Sequence, residues 1–179
     1  MRVVEGLDRR EDALIEVFRA AFAASEGAGE GDLIAGLVRS IFETTASEDL
    51  RVFSAEDGDS IVGAVAFTAL LFPEDAQRVM LLSPMAVAPD RWKTGVGQGL
   101  ITAALEALAR DGVDIVVTYG DPAYYGQTGF LPITDGDVNP PLPLSMPHGW
   151  LGKRLNGGGK PAVNGPSVCV SAFRQAELW

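Results

Sequence analysis

The sequence predicts a mixed α/β (α+β) fold in which a mainly antiparallel central sheet is flanked by helices. Three observations predict it. Strand-like segments at 50–54, 60–72 and 78–87 succeed one another through short turns, the pattern of an antiparallel meander. The last of them leads into a helical pattern and a further apolar strand at 113–118, a spacing that reads as a right-handed crossover between parallel strands. Several other segments carry apolar residues at helical spacing, as helices packed on a sheet do.

The 179 residues are the size of one domain, 1–179, and 47% are hydrophobic, which suits a buried core. Net charge is −10, from 14 basic and 24 acidic residues, which argues against a phosphate-tracking surface for nucleic acid. One cysteine and one histidine exclude an intramolecular disulfide and a two-histidine zinc site, and no metal is expected. The N-terminal segment lacks the apolar core of a signal peptide. The longest apolar run, 61–72, is too short to span a bilayer, so a cytoplasmic protein with no membrane association is expected.

Taken in order, Val3 and Val4 open a short strand, and Asp8 reads as the N-cap of a helix whose stripe is Ala13, Leu14, Val17, Phe18, Ala21 and Phe22. Gly27 to Gly31 interrupt, and a second stripe follows at Leu33, Ile34, Leu37, Val38, Ile41 and Phe42. The Asp-Gly turn within 56–59 joins two strands into a hairpin, and Pro73-Glu74-Asp75 turns the chain into the next. A helix with Leu100, Ile101, Ala104, Leu105 and Leu108 on its apolar face ends at Gly112. Asp121-Pro122 reads as the N-cap and first residue of a short helix. From 134 to 166 prolines and glycines dominate, which reads as a functional cover or a mobile loop, and an alternating strand pattern returns at 167–173.

The most informative stretch is 82–100, LSPMAVAPDRWKTGVGQGL. A strand feeds a glycine-rich turn, Gly95, Gly97 and Gly99, at a helix N-terminus. Glycines there allow close backbone approach and positive φ, and the first N–H groups of a helix have no internal acceptor, so the turn can hold an anion. A tight helix entry with no ligand reads equally well from the glycines alone. The spacing fits neither a dinucleotide fingerprint nor a Walker loop, since Lys93-Thr94 precedes the glycines.

This stretch, with DPAYYGQTGF at 121–130, resembles the GNAT superfamily of acetyl-CoA-dependent N-acyltransferases, and the wording is most similar to a YhbS-like subgroup. The resemblance covers the order of elements from Val3 to Ile133. It implies a splay between the fourth and fifth strands and a single acyl-CoA N-acyltransferase domain. The family pattern Gln/Arg-x-x-Gly-x-Gly/Ala falls on Trp92, Lys93, Thr94, Gly95, Val96 and Gly97, with Trp92 standing where a polar side chain is expected and Arg91 beside it. By resemblance the backbone of this loop, through Gln98, binds the pyrophosphate of coenzyme A. Met85, Ala86 and Val87 line the pantetheine arm, and Tyr124 packs or touches the coenzyme. Tyr125, first of Tyr-x-x-x-Gly-Phe, is the implied general acid for the leaving thiolate, since a phenol with a pKa near ~10 is protonated at neutral pH.

The resemblance implies acetyl transfer from acetyl-CoA to a primary amine of a small molecule or protein, and admits a homodimer. The competing reading is a non-catalytic acyl-CoA-binding regulatory module. No general base stands out. Asp121 reads as a cap, Ser83 as a strand residue, Glu74 and Asp75 as solvated turn residues, His148 as a surface histidine and Cys169 as buried and inert.

Overall fold

The chain folds in the order β1 (Arg2–Glu5), α1 (Glu11–Glu26), α2 (Ala28–Thr44), β2 (Leu50–Asp57), β3 (Ser60–Leu71), β4 (Val79–Val87), α3 (Val96–Arg110), β5 (Ile115–Tyr119), α4 (Pro122–Tyr125), β6 (Leu131–Pro132), β7 (Trp150–Arg154) and β8 (Val168–Cys169). The computed structural model describes all residues, 1–179. The strands follow the order β1-β2-β3-β4-β5-β7-β6, with β8 on β3, and β4–β5 is a parallel pair in this mostly antiparallel set. The chain divides into two compact units, Met1–Phe67 with Pro84–Ala104, and Thr68–Ser83 with Leu105–Trp179. No helix is long and apolar enough to cross a membrane.

In the first unit, alternate residues of β3 face opposite ways. Ala64 and Ala66, with Val52 and Ala86, join the core formed by Leu14, Ile15, Phe18, Ala21, Ala35 and Val38 of α1 and α2. On the other face Gly63 meets α3: a Cβ there would lie 3.4 Å from both Val96 and Leu100 and 3.3 Å from the Ala86 carbonyl. The absent side chain lets the first turn of α3 lie close to the sheet, and nothing in the sequence pattern singles Gly63 out.

Helices α1 and α2 cross at Gly31, where a Cβ would come 2.7 Å from the Arg19 carbonyl and 2.8 Å from the Ala23 methyl. Most of the expected stripes hold, with Leu14, Phe18, Ala21, Val38 and Ile41 buried, and the exceptions are few. Ile15 and Ala35 are buried, whereas Ala13 and Leu33 are exposed, Leu33 at 69%. The break between the helices is Gly27 alone, at φ +103, and Gly29 and Gly31 lie inside α2. Asp8 is not a cap. It sits at φ +46 beside Arg9 at φ +61, and α1 starts after Arg10 with no side-chain cap bond. Short polar side chains tolerate this left-handed region better than most.

In the second unit the backbone of β5 lies between β4 and β7. The segment 134–166 is more structured than its composition suggests, because β7 pairs with β5 over five positions from Ile115↔Arg154 to Tyr119↔Trp150. Trp150 is fully buried and its indole N–H donates to the Val138 carbonyl at 2.8 Å. The remainder is tied down by Asp137, which accepts from the Thr134 N–H at 2.7 Å and pairs with Lys160 at 2.5 Å. These partners hold the Asp137 carboxyl down at about 2. Asp75, expected as a solvated turn residue, accepts the Asn164 N–H at 2.9 Å, and the Asn164, Gln77 and Ala76 bonds lower its pKa. The strand expected at 167–173 is real only at Val168–Cys169, since Ser171–Phe173 is a 3-10 turn.

The two kinds of glycine in α2 give a direct test. Gly31→Ala forces a backbone contact and is expected to destabilise by about 1–3 kcal/mol. Gly36→Ala enters open space on the same helix and should stabilise by about 0.5–1 kcal/mol. Urea unfolding of the two variants against wild type measures both, and equal effects would contradict the crossing.

Candidate functional site

The site begins with how β4 ends. Its register with β5 runs from Val79↔Ile115 to Leu82↔Thr118. The Arg78 carbonyl accepts from Asp114 N–H and Ile115 N–H at 2.9 and 3.2 Å, so alternate residues, 78, 80 and 82, turn their backbone groups toward β5. The next residue in that series is Pro84, which has no N–H to give. β4 nevertheless continues as a strand through Met85, Ala86 and Val87. Met85 and Val87 are half-buried and Ala86 is buried.

From Val87 the chain enters a tight 3-10 turn at Pro89–Arg91. Three bonds fix the turn and the loop after it. The Trp92 indole N–H donates to the Val87 carbonyl at 2.7 Å, the Arg91 N–H to the Ala88 carbonyl at 2.8 Å, and the Thr94 hydroxyl to the Arg91 carbonyl at 2.6 Å. Lys93 is held at φ +62, an uncommon conformation for a side chain of its length, and Gly95 at φ +85. The first intrahelical bond of α3 runs from Gly99 N–H to Gly95 C=O at 3.0 Å. The N–H groups of Val96 and Gly97 therefore belong to the first turn, where an α-helix offers no acceptor and its dipole is positive. Gly97 is buried and Gln98 half-buried.

Arg91, the basic neighbour of Trp92, is already committed. It pairs with Asp57 at 2.8 Å and with Asp90 at 3.4 Å, and both carboxylates raise its pKa. All the expected coenzyme residues except Tyr124 thus lie in the first unit, and the Trp92–Val87 bond couples the strand end to the loop.

Tyr124 and Tyr125 lie in the second unit, on α4. Asp121 caps this helix as expected, accepting the Ala123 N–H at 2.9 Å, and Pro122 supplies its first residue. Gly129 at φ +87 closes the turn after α4 and returns Phe130 onto the Tyr125 ring, centroids 5.7 Å apart. Tyr124 meets Tyr125 edge-on at 5.2 Å. On its remaining side the Tyr125 ring covers Gly120, where a Cβ would lie 2.8 Å from the ring edge. The spacing Tyr-x-x-x-Gly-Phe is thus a closed turn that wedges one phenol in place.

Burial pushes the Tyr125 phenol up to about 12, partly offset by a hydrogen bond to the Thr118 side chain. Burial also raises Tyr124. The Thr118 hydroxyl donates to the Leu82 carbonyl at 2.9 Å, so it is left to accept from the phenol. The sequence singles out neither Thr118 nor Gly120. His148 is exposed, but with Tyr119, Asp121 and Met146 it lines a cavity of about 340 Å³.

The sequence pattern of the Acetyltransferase (GNAT) family matches residues 12–130. The chain is 33% identical over 135 residues to the uncharacterized N-acetyltransferase YjhQ of Escherichia coli (strain K12), covering 74% of this chain and 70% of YjhQ. It is also 33% identical over 110 residues to the uncharacterized N-acetyltransferase YhbS of the same strain, covering 54% of this chain and 65% of YhbS, just under two thirds. Among solved structures, E. coli YhbS in complex with CoA superposes with TM-score 0.75 at 22% identity, over 97% of this chain and 92% of that one. A GNAT acetyltransferase from Brucella melitensis in complex with acetyl-CoA gives TM-score 0.68 at 22% identity, over 96% and 97%. These likenesses bear out the mixed, mainly antiparallel fold.

Because the folded protein raises the Tyr125 pKa, the stability this group contributes is complete below pH ~10 and is lost as pH rises toward about 12. Wild type should lose about 1.4 kcal/mol per pH unit across that window relative to Tyr125→Phe. Urea unfolding of both proteins at pH 9, 10 and 11 measures the difference, and parallel curves would contradict a buried neutral phenol.

Proposed function

The chain belongs to the acetyltransferase (GNAT) family, and from that we propose that it moves the acetyl group of acetyl-CoA directly onto a primary amine of a small molecule or a protein. The observation that carries this reading is the entry to α3. Gly95 at φ +85 turns the backbone, and the first-turn N–H groups of Val96 and Gly97 follow at the positive end of a 15-residue helix. This donor set fits a pyrophosphate, because it offers backbone N–H groups without a side chain at 95 or 97 to block approach. Two similar proteins hold CoA or acetyl-CoA in their structures, which supports the same ligand here. Lys93, Thr94 and Gln98 would surround the pyrophosphate, with Trp92 at the rim. The backbone of Met85, Ala86 and Val87 would run beside the pantetheine arm in the manner of an added strand. The family match, 12–130, runs through both units and supports reading them as one acyltransferase domain.

Acetyl-CoA supplies an activated thioester. Tyr125 would place a neutral O–H donor at the departing sulfur, with Tyr124 packed against it. At a pKa of about 12 the phenol stays protonated throughout the physiological range. As the amine nitrogen bonds the acetyl carbon and the C–S bond breaks, the proton lost by nitrogen would pass to solvent, which can return it to the thiolate. Proton transfer from Tyr125 to a thiolate of pKa ~8.5 is uphill, so the main contribution of Tyr125 would be a hydrogen bond that strengthens as charge collects on sulfur. The net charge of −10 favours a cationic acceptor.

Two measurements test this. Isothermal titration with acetyl-CoA should show binding below millimolar ligand, and its absence there would overturn the reading. Thiol release across a panel of primary amines should reveal turnover with at least one. Tyr125→Phe should lower kcat by about a hundredfold while changing the CoA Kd less than about threefold. Coenzyme binding with no thiol release from any amine would instead identify a binding module.

A further inference from the structure

We propose that the indole face of Trp92 is the platform on which the adenine ring of coenzyme A stacks. This rests on the acetyl-CoA reading and adds to it a specific group of the ligand and a specific side chain.

The chain has three tryptophans. Trp150 and Trp179 are buried, and their indole N–H groups donate to the Val138 and Phe173 carbonyls at 2.8 and 2.9 Å. Trp92 is different, with 42% of its surface exposed. Yet it is not loose. Its N–H is spent on the Val87 carbonyl at 2.7 Å, and the backbone around it is fixed by the Pro89–Arg91 turn, the Thr94–Arg91 bond and the left-handed Lys93. The indole N–H is therefore spent on the protein, the ring is tethered at that edge, and what a ligand could meet is apolar ring surface. A ring restrained before binding loses little freedom when a ligand covers it.

The chemistry of the ligand selects the partner. Coenzyme A has one aromatic group, the adenine, joined to its pyrophosphate through a single ribose. The phosphate seat at Gly95–Gly97 starts three residues after Trp92, a chain distance of at most about 10 Å, which is the scale of that ribose spacer. Lys93 follows Trp92 directly and brings a cation suited to the phosphate on the same ribose. Arg91 is not available for that task, being paired with Asp57 and Asp90. Aromatic stacking thus takes the place of the polar contact expected at this position.

The test uses the full chain with CoA and with 4′-phosphopantetheine, which has a phosphate and the arm but no adenosine. Calorimetry first establishes CoA binding to wild type; its absence removes the acetyl-CoA reading and this inference together. With binding established, CoA should quench the tryptophan emission component that acrylamide reaches, and this change should vanish in Trp92→Leu. Trp92→Leu should weaken CoA about tenfold and phosphopantetheine less than about threefold, whereas Trp92→Phe, which keeps an aromatic face but loses the bond to Val87, should stay within about threefold of wild type for CoA. Three results would each overturn stacking: CoA binding with unchanged emission, an equal loss for both ligands in Trp92→Leu, or a Trp92→Phe variant as weak as Trp92→Leu. If phosphopantetheine binds too weakly to measure, the emission change and the Phe–Leu comparison still decide.

Discussion

A missing donor at one position of one strand governs the candidate site. β4 turns alternate residues toward β5 up to Leu82, and the next in that series is Pro84, which has no N–H. The strand still continues through Val87, and the Ala88 N–H, which the same alternation would turn toward β5, bonds the Val62 carbonyl of β3 at 2.9 Å, so the alternation shifts between Leu82 and Ala88. β4 thereby ends beyond its pairing with β5, its last carbonyl, Val87, accepts the Trp92 indole N–H, and the Pro89–Arg91 turn leads into α3. Gly63 on β3 then lets Val96 and Leu100 settle against the sheet. The helix N-terminus is positioned by core packing rather than by loop residues.

The two halves of the chemistry use different physics. On the proposed reading the loop at 92–98 would act through backbone groups, so its demands are conformational: positive φ at Gly95, no side chain at Gly97, and Lys93 held at positive φ by its neighbours. Tyr125, on the same reading, would act through one side-chain O–H, so its demand is enclosure. Gly120 beneath the ring, Phe130 and Tyr124 around it, and Thr118 on its hydroxyl provide that enclosure. The same burial that fixes the phenol also makes it a poor acid, which shifts its expected role from proton transfer to hydrogen bonding.

Much of this was legible from local pattern. The strand segments within 50–87, the Asp-Gly hairpin and the Asp121-Pro122 cap are short-range signals, and the structure keeps each of them. Of the three glycines expected in the turn, Gly95 precedes α3 while Gly97 and Gly99 lie inside it, and the alternation at 167–173 gives only a two-residue strand. What escaped depends on distant partners. β7 hides in a proline- and glycine-rich segment because its strand character comes from pairing with β5 and β6, and at Gly152 a Cβ would lie 3.0 Å from both Ile133 and Pro161. The helix stripes missed the buried Ile15 and Ala35 and included the exposed Ala13 and Leu33, while the close α1–α2 approach at Gly31 has no local sign. Trp92 was legible as a departure from the family pattern, but its bond to Val87 and the prior commitment of Arg91 to Asp57 are visible only in three dimensions. Thr118 and Gly120 carry no sequence signal for the roles they play around Tyr125.

The central claim is that the first-turn amides of α3 hold the pyrophosphate of acetyl-CoA. Amide hydrogen exchange, tracked residue by residue with and without saturating acetyl-CoA, addresses it most directly. The amides of Val96 and Gly97 should exchange markedly more slowly in the presence of acetyl-CoA, by about tenfold or more, while exposed amides in the 56–59 hairpin turn stay unchanged. Saturation by acetyl-CoA with unaltered exchange at Val96 and Gly97 would contradict the account.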